Sequence, residues 1–366
     1  MKKLAPIISP VICDIYNSAI IKGIFPSILK LSRVIPLHKG KSNKITNNFR
    51  PIFLLPFMSK VIEKLFKSRV CKFIENNSIL YKKQFGFRTG CNTSDAILHL
   101  VHDCVTALDD KLFTVTVFLD FSKAFDTVNK DIMLKKLHRL GFRDNINKFI
   151  RSYLTDRRMF VSVNNCESTI RTTNIGLPQG SVSAPWLFSL YINDMHNISD
   201  KLKFSHFADD TVVYMTGNNL KSLCRDLCNE LIKVDDWLKT NRLSLNIDKT
   251  YFMVLTHNTY DINNCIIKIR DKSINYVTET KFLGVILDNK LNYNSHVTKL
   301  TKQLSRVKGI LFKLANTVPP FILRNLYYSL FYSRMTYAIS VWGGGNKINI
   351  NKVIECLPLI SLNGSM

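Results

Sequence analysis

Three aspartates in this 366-residue sequence stand where carboxylates could do chemistry. Asp209 and Asp210 are adjacent inside KFSHFADDTVVYM, and Asp120 closes the run TVTVFLD. Apolar and β-branched residues lead up to the acidic pair and resume directly after it, the pattern of a β-hairpin with both acids at its turn. Two carboxylates turned into one space repel, and a divalent cation removes the conflict; adjacent hard oxygens suit Mg²⁺. A solvated Asp-Asp turn has the same sequence. For Asp120, residues 115–118 form an apolar strand, and a charge at the end of a buried strand is costly unless a cap, an ion pair or a cation compensates it. If the two expected strands are neighbours in one sheet, three carboxylates share a pocket. Two-metal phosphoryl transfer needs that arrangement, with one ion at the attacking oxygen and one at the leaving pyrophosphate. Such chemistry asks the protein mainly for positioning and charge.

Composition supplies the surface that such a site would need. The 51 Lys and Arg against 27 Asp and Glu give a net charge of +24, spread along the chain, and a field of that sign attracts polyanions, nucleic acid first. Ordinary solubilising charge is the plainer alternative. A hydrophobic content of 46% and a mean hydropathy of +0.02 fit a globular fold and not a disordered tail. Nine cysteines lie scattered; Cys224 and Cys228 are spaced for one helix face but have no second ligand pair, so zinc is not expected and a reducing, intracellular compartment is. Pro6 and Pro10 interrupt the apolar start and Asp14 closes it, which argues against a signal peptide. No apolar run reaches about 18 residues, so no membrane span is expected.

The positioning elements follow from periodicity. Residues 6–22 read as a helix, and 32–52 as a strand, a basic turn and a return strand carrying Lys39 and Arg50. Taken alone these are surface cations; on a hairpin they also suit a phosphate grip. Phe57 to Glu75 reads as a helix burying Val61, Leu65, Val70 and Phe73. QFGFRTG is a loop whose Phe85, Phe87 and Arg88 either pack or stack on bases. Helices are expected over 93–110 and 130–140, and two short strands over 158–173. GLPQG then makes a loop in which Gly176, Pro178 and Gly180 allow close approach and Gln179 offers an amide, with an apolar helix from about Ser181. A hairpin over 203–216, a helix over 220–241 with Trp237 on its apolar face, and strands around Lys249 come next. A strand over 281–288 and a basic, aromatic helical tail from about 294 complete the chain.

FLDFSKAFDTVN, GLPQGSVSAP, FADD, NRLSLNIDKT and KFLGVIL, in that order, resemble the palm motifs of reverse transcriptases. FRPIFLLPFMSKVIEKL and QFGFRTG resemble the fingers of the non-LTR retrotransposon branch, close to jockey-type elements. The resemblance implies an α+β, right-hand polymerase fold: fingers over 1–114, a palm with an antiparallel sheet over 115–290 and a helical thumb over 291–366, with the reverse transcriptase domain over 20–287. It implies RNA-directed DNA synthesis with two Mg²⁺ ions, Mn²⁺ being a substitute. Asp120, Asp209 and Asp210 would hold the metal, with the backbone carbonyl of Phe121 as a further ligand. Lys39 and Arg50 would contact the triphosphate, Phe125 would exclude a 2′-hydroxyl, and Gln179 would lie against nucleotide and template. Lys249 would sit near the phosphates, and Phe282, Leu283 and Gly284 would form the primer grip. Partners would be an RNA template, a DNA primer or duplex and dNTPs. Two departures stand out: Ser-Ala-Pro after GLPQGSV where relatives usually have Leu-Gly-Pro, and RPIF for RPIS. Full-length relatives carry an endonuclease ahead of the polymerase, so the chain reads as a fragment of a mobile element. A catalytically silent nucleic-acid-binding remnant is the competing reading; an RNA-dependent RNA polymerase is disfavoured by Phe125.

Overall fold

A computed structural model describes residues 5–40, 42, 44–262, 265–344 and 347–357. Lys2 and Lys3 of the basic start, Lys41 of the expected turn and residues 358–366 of the expected thumb lie outside the described residues.

The first half of the chain runs α1 (Ala5–Lys22), β1 (Leu31–His38), β2 (Phe49–Leu54), α2 (Phe57–Asn76), α3 (Thr93–Asp109), β3 (Phe113–Leu119) and the single turn α4 (Ala124–Thr127). Then come α5 (Lys130–Arg139), α6 (Asp144–Leu154), β4 (Arg157–Val163), β5 (Cys166–Glu167), β6 (Arg171–Thr173) and α7 (Ala184–Tyr191). The second half runs β7 (Lys203–Phe207), β8 (Asp210–Gly217), α8 (Leu220–Thr240), β9 (Tyr251–Leu255), β10 (Lys268–Ile269), β11 (Lys272–Ser273) and β12 (Asn275–Tyr276). It closes with β13 (Glu279–Phe282), β14 (Val285–Asp288), α9 (Asn294–Leu314) and short helical pieces to Glu355. No helix among the described residues is long and apolar enough to cross a membrane.

The contacts divide the chain into two compact units. The first comprises Met1–Arg88, Asp120–Asp200 and Ile232–Asn246. Its sheet has the order β2-β1-β4-β5, with β6 also on β4; β1 is antiparallel to β2 and parallel to β4. An aromatic core of Phe25, Phe66, Phe149, Tyr153 and Trp186 lies within it.

The second unit comprises Thr89–Leu119, Lys201–Leu231 and Ile247–Met366. Its sheet has the order β12-β9-β3-β8-β7, with β3 antiparallel to both neighbours. Being central and covered on both faces, β3 is a near-continuous buried run, which is why the sequence signals it so strongly. A single cluster joins Leu100 of α3, Phe118, Val212 and Met253 of the sheet, Val285 of β14 and Leu304 of α9. α3 starts on a capping box in which Asn92 accepts from the Ser94 and Asp95 amides and Asp95 accepts from the Asn92 amide.

Several local expectations need correction. The buried stripe of α2 is Ser59, Ile62, Glu63, Phe66, Val70 and Ile74; Leu65 is exposed, and Phe73 is partly exposed with its ring edge-on to Phe142, centroids 5.2 Å apart; the true stripe contains a carboxylate, which a hydrophobic pattern skips. Three short strands, not two, occupy 157–173. The apolar helix after GLPQG starts at Ala184, because residues 181–183 still belong to the turn. Residues 281–288 form not one strand but a hairpin, β13 and β14 joined by Leu283 and Gly284, both at positive φ as a two-residue hairpin turn requires. Trp237 is half-buried, with the Lys136 ammonium 4.7 Å from its ring centroid. Cys224 and Cys265 form a disulfide, against the all-thiol expectation: the segment around 265 packs on α8 with the two Cα atoms 5.7 Å apart, within bridging range.

Candidate polymerase site

In the first unit the site is built around the 176–183 loop. The Gly176 amide donates to the Val128 carbonyl at 2.9 Å and the Leu177 amide to the Phe125 carbonyl at 2.7 Å. The Gln179 side chain adds a third tie, Nε2 to Asp126 Oδ1 at 2.8 Å. On the loop's other side the Phe53 amide of β2 donates to the Gln179 carbonyl at 2.8 Å. Two glycines permit this. A Cβ on Gly176 would lie 2.7 Å from the Asp126 carbonyl oxygen, and one on Gly180 2.8 Å from that of Phe53; both have positive φ. The loop is thus threaded between a strand and the segment that carries Phe125.

Phe125 is half-buried with its ring stacked on Phe188 of α7, centroids 4.7 Å apart and planes 28° from parallel. Lys39 and Arg50 lie on the β1–β2 hairpin and are exposed: Arg50 pairs with Leu37, and the Lys39 amide donates to the Asn48 carbonyl. Asp120 and Phe121 run beside residues 244–246. The Ser122 amide donates to the Ser244 carbonyl and the Asn246 amide to the Asp120 carbonyl, both at 2.8 Å, around the Phe121–Leu245 bridge. In such a bridge the middle residue's own carbonyl is turned away from the partner, so that of Phe121 is not used by it.

In the second unit, β3 ends at Leu119 opposite Thr211 of β8. Phe207 pairs with Asp210, leaving Ala208 and Asp209 as the β7–β8 turn. Ala208 is buried at φ +57°, a left-handed conformation that a Cβ disfavours, while Asp209 and Asp210 are exposed. Behind the turn, His206 Nδ1 lies 3.0 Å from Thr211 Oγ1. Lys249 is exposed at the end of a single helical turn before β9. Phe282 is in the core, and the turn at Leu283 and Gly284 is covered by Tyr337: its hydroxyl donates to the Leu283 carbonyl at 2.6 Å, and a Gly284 Cβ would meet its ring at 2.9 Å. Among the described residues no group of three or more His, Cys, Asp or Glu side chains is gathered so as to hold a metal ion.

The structure therefore ties Phe125 and Gln179 to one loop system. Sequence reasoning missed Asp126, the partner of Gln179, and Tyr337, which covers the turn at Leu283 and Gly284. Asp126 sits inside the quoted AFDTVN and was visible as the next acid after Phe125, but nothing in the pattern distinguishes it from a surface charge.

The reverse transcriptase (RNA-dependent DNA polymerase) family matches residues 37–287. The chain is 30% identical over 350 residues to the probable RNA-directed DNA polymerase from transposon BS of Drosophila melanogaster, covering 93% of this chain and 38% of that protein. Against the RNA-directed DNA polymerase from mobile element jockey of the same fly, identity is 27% over 350 residues, with the same coverage. The chain thus spans 38% of the length of these relatives. Among solved structures it is similar to telomerase from Candida albicans in complex with a fragment of telomeric RNA, with TM-score 0.50 and 13% identity, covering 94% of this chain and 65% of that one. For the corresponding Candida tropicalis telomerase the values are 0.51 and 10%, covering 89% and 57%. At these identities the likeness bears on the fold, and the fold is the expected α+β, right-hand polymerase one.

Proposed function

The chain belongs to the reverse transcriptase (RNA-dependent DNA polymerase) family, and on that premise we propose that it adds deoxynucleotides to a primer 3′-hydroxyl under the direction of an RNA template, as the polymerase core of a jockey-like, non-LTR retrotransposon. The observation that carries this reading is a register. β3 ends at Leu119 opposite Thr211, at the end of the sheet where the turn leads into Asp210, and Asp120 is the next residue of the chain.

Asp120, Asp209 and Asp210 would hold divalent cations, with the Phe121 carbonyl as an additional oxygen. An all-oxygen donor set of this kind suits Mg²⁺, and Mn²⁺ as its substitute. When bound, the metal supplies charge for the triphosphate and makes the 3′-hydroxyl more acidic. Lys39 and Arg50 neutralise triphosphate oxygens from the hairpin, and Lys249 places a further cation near the phosphates. The Phe125 ring, held by Phe188, presents a fixed wall to the sugar, where a 2′-hydroxyl distinguishes RNA precursors from DNA precursors. Gln179 lies against the base pair, and Phe282, Leu283 and Gly284 hold the primer end. Fingers over 1–114, a palm over 115–290 and a thumb over 291–366 share the reverse transcriptase domain over 20–287 in this reading. The net charge of +24 supports a polyanionic partner.

The test is primer extension by the purified protein on a primed RNA template with dNTPs and Mg²⁺. Extension that copies the template is the expected result. Salt-sensitive RNA binding with no incorporation in either Mg²⁺ or Mn²⁺ would instead mark a binding remnant.

A further inference from the structure

Glu63 is 2% exposed on α2, beside a small cavity lined by Phe25, Phe66, Phe149 and Trp186. A carboxylate in such surroundings is costly unless its lone pairs are used. Here they are used. Oε1 accepts from the Ser59 hydroxyl at 3.0 Å, one turn back on the same helix. Oε2 accepts from the Tyr153 hydroxyl at 3.2 Å, the Val182 amide at 2.9 Å and the Ser183 amide at 3.0 Å. Burial, and then the Glu63 charge, push the Tyr153 phenol well up, so it remains a donor.

Val182 and Ser183 lead into α7, where a helix leaves its first amides unpaired. Ser183 makes no side-chain cap bond there, and the Ala184 amide is met by Ser181 Oγ at 2.9 Å. The two preceding amides are met from α2 instead, by an anion that the helix dipole favours at that end. The loop's other end is held by Phe53, in the strand that leads into α2. One strand–helix segment therefore grips residues 179–183 at both ends.

The geometry points to Glu63 as a positioning residue: it fixes the 179–183 segment against β2 and α2, and so sets where Gln179 stands. The clamp is independent of the polymerase reading, whereas its effect on nucleotide binding rests on that reading. What matters in it is the acceptor atom and not the charge. In Glu63→Gln the amide oxygen takes over the two amides and Tyr153, and the new NH₂ can donate to Ser59. Glu63→Met fills similar space and offers only a weakly accepting sulfur in place of the two oxygens.

Two measurements test it on the full chain: hydrogen exchange at the Val182 and Ser183 amides, and KM for dNTP against kcat in primer extension on active-site-titrated enzyme. Glu63→Met should speed exchange at those amides by roughly tenfold or more relative to β3 amides in the same protein, and raise KM by a similar factor with kcat little changed. Glu63→Gln should stay within about threefold of the parent on both readouts. Unchanged exchange in Glu63→Met, or a loss of active fraction with KM unmoved, would overturn the proposal and leave Glu63 a packing residue. Should Glu63→Met fail to fold, Glu63→Gln decides: parent-like exchange and KM support the clamp, and loss of either overturns it. If the parent chain extends no primer, the polymerase reading fails while the exchange measurement still decides the clamp.

Discussion

Gln179 and Asp126 are joined by one hydrogen bond, Nε2 to Oδ1 at 2.8 Å, which fastens the side chain of the Gly/Pro loop to the residue next to Phe125. A neutral donor on a carboxylate is worth about 1.5–3 kcal/mol. Asp126→Ala and Gln179→Ala should therefore each raise KM for dNTP by roughly tenfold. Because both remove the same bond, the double variant should be little worse than the more damaging single one. Steady-state kinetics on the four proteins checks this, and additive effects would show that the bond does not carry the coupling.

The stacked pair Phe125 and Phe188 makes a second prediction. With its neighbour 4.7 Å away, the Phe125 ring has little room to turn aside from a 2′-hydroxyl. Phe125→Val should lower discrimination between dNTP and rNTP by about tenfold to a hundredfold, the range available to a steric contact in a pocket. Single-nucleotide incorporation with matched dNTP and rNTP reads it. Unchanged discrimination would remove Phe125 from the gate.

Gly180 tests the threading of the loop directly. At φ +106°, with the Phe53 carbonyl oxygen 2.8 Å from any added Cβ, Gly180→Ala meets backbone strain and a backbone clash together. A loss of about 1–3 kcal/mol is expected, read as a lowered Tm. Gly90, with nothing within 4 Å of an added Cβ, controls for mere loss of glycine at positive φ. Equal losses at the two positions would argue against the clash.

Much of this was legible because the signals were local. The buried run of β3, the resumption of apolar residues after Asp210 and the glycines of GLPQG announce a central strand, a hairpin and a close-approach loop without any tertiary information. Glu63 was not legible for a physical reason. A charged residue inside a helix stripe looks like an interruption, so an apolar reading runs through Leu65, which is exposed, and Phe73, which is partly exposed beside Phe142. The partners of Glu63 lie about 90 and 120 positions away on α6 and at the start of α7. Likewise KFLGVIL reads as one strand, because the turn is made by Leu283, a residue that rarely adopts positive φ, with only Gly284 as a cue. The Cys224–Cys265 pairing depends on a contact that cysteine spacing alone does not reveal.

Lys130 gives a pH prediction. It is buried at the start of α5, with its ammonium donating to the Thr173 carbonyl at 3.2 Å. Burial, then the Arg157 guanidinium and Lys30, push its pKa down to about 8, against partial relief from Asp156 and Asp131. Unfolded, the same lysine titrates near 10.4. Between those values the unfolded chain binds the extra proton, so stability rises with pH from about 8 towards 10, by up to about 3 kcal/mol. Tyr191, pushed up to about 12 by burial, acts in the opposite sense above about pH 10, where the unfolded phenol ionises. The Tm of the parent should therefore climb relative to Lys130→Met between pH 8 and 10. Parallel profiles would show that Lys130 does not titrate there.

In the proposed function the acids flanking the β3–β8 pairing hold the metal ions for nucleotide addition. The most direct measurement is primer extension by Asp209→Asn beside the parent, at protein concentrations that bind equal amounts of primed RNA template. Asp209 is exposed at a turn, so its replacement should spare the fold and template binding. Incorporation should fall by about a thousandfold, the several kcal/mol of charge stabilisation that a misplaced metal would forfeit. Incorporation at the parental rate by Asp209→Asn would contradict that metal-holding role.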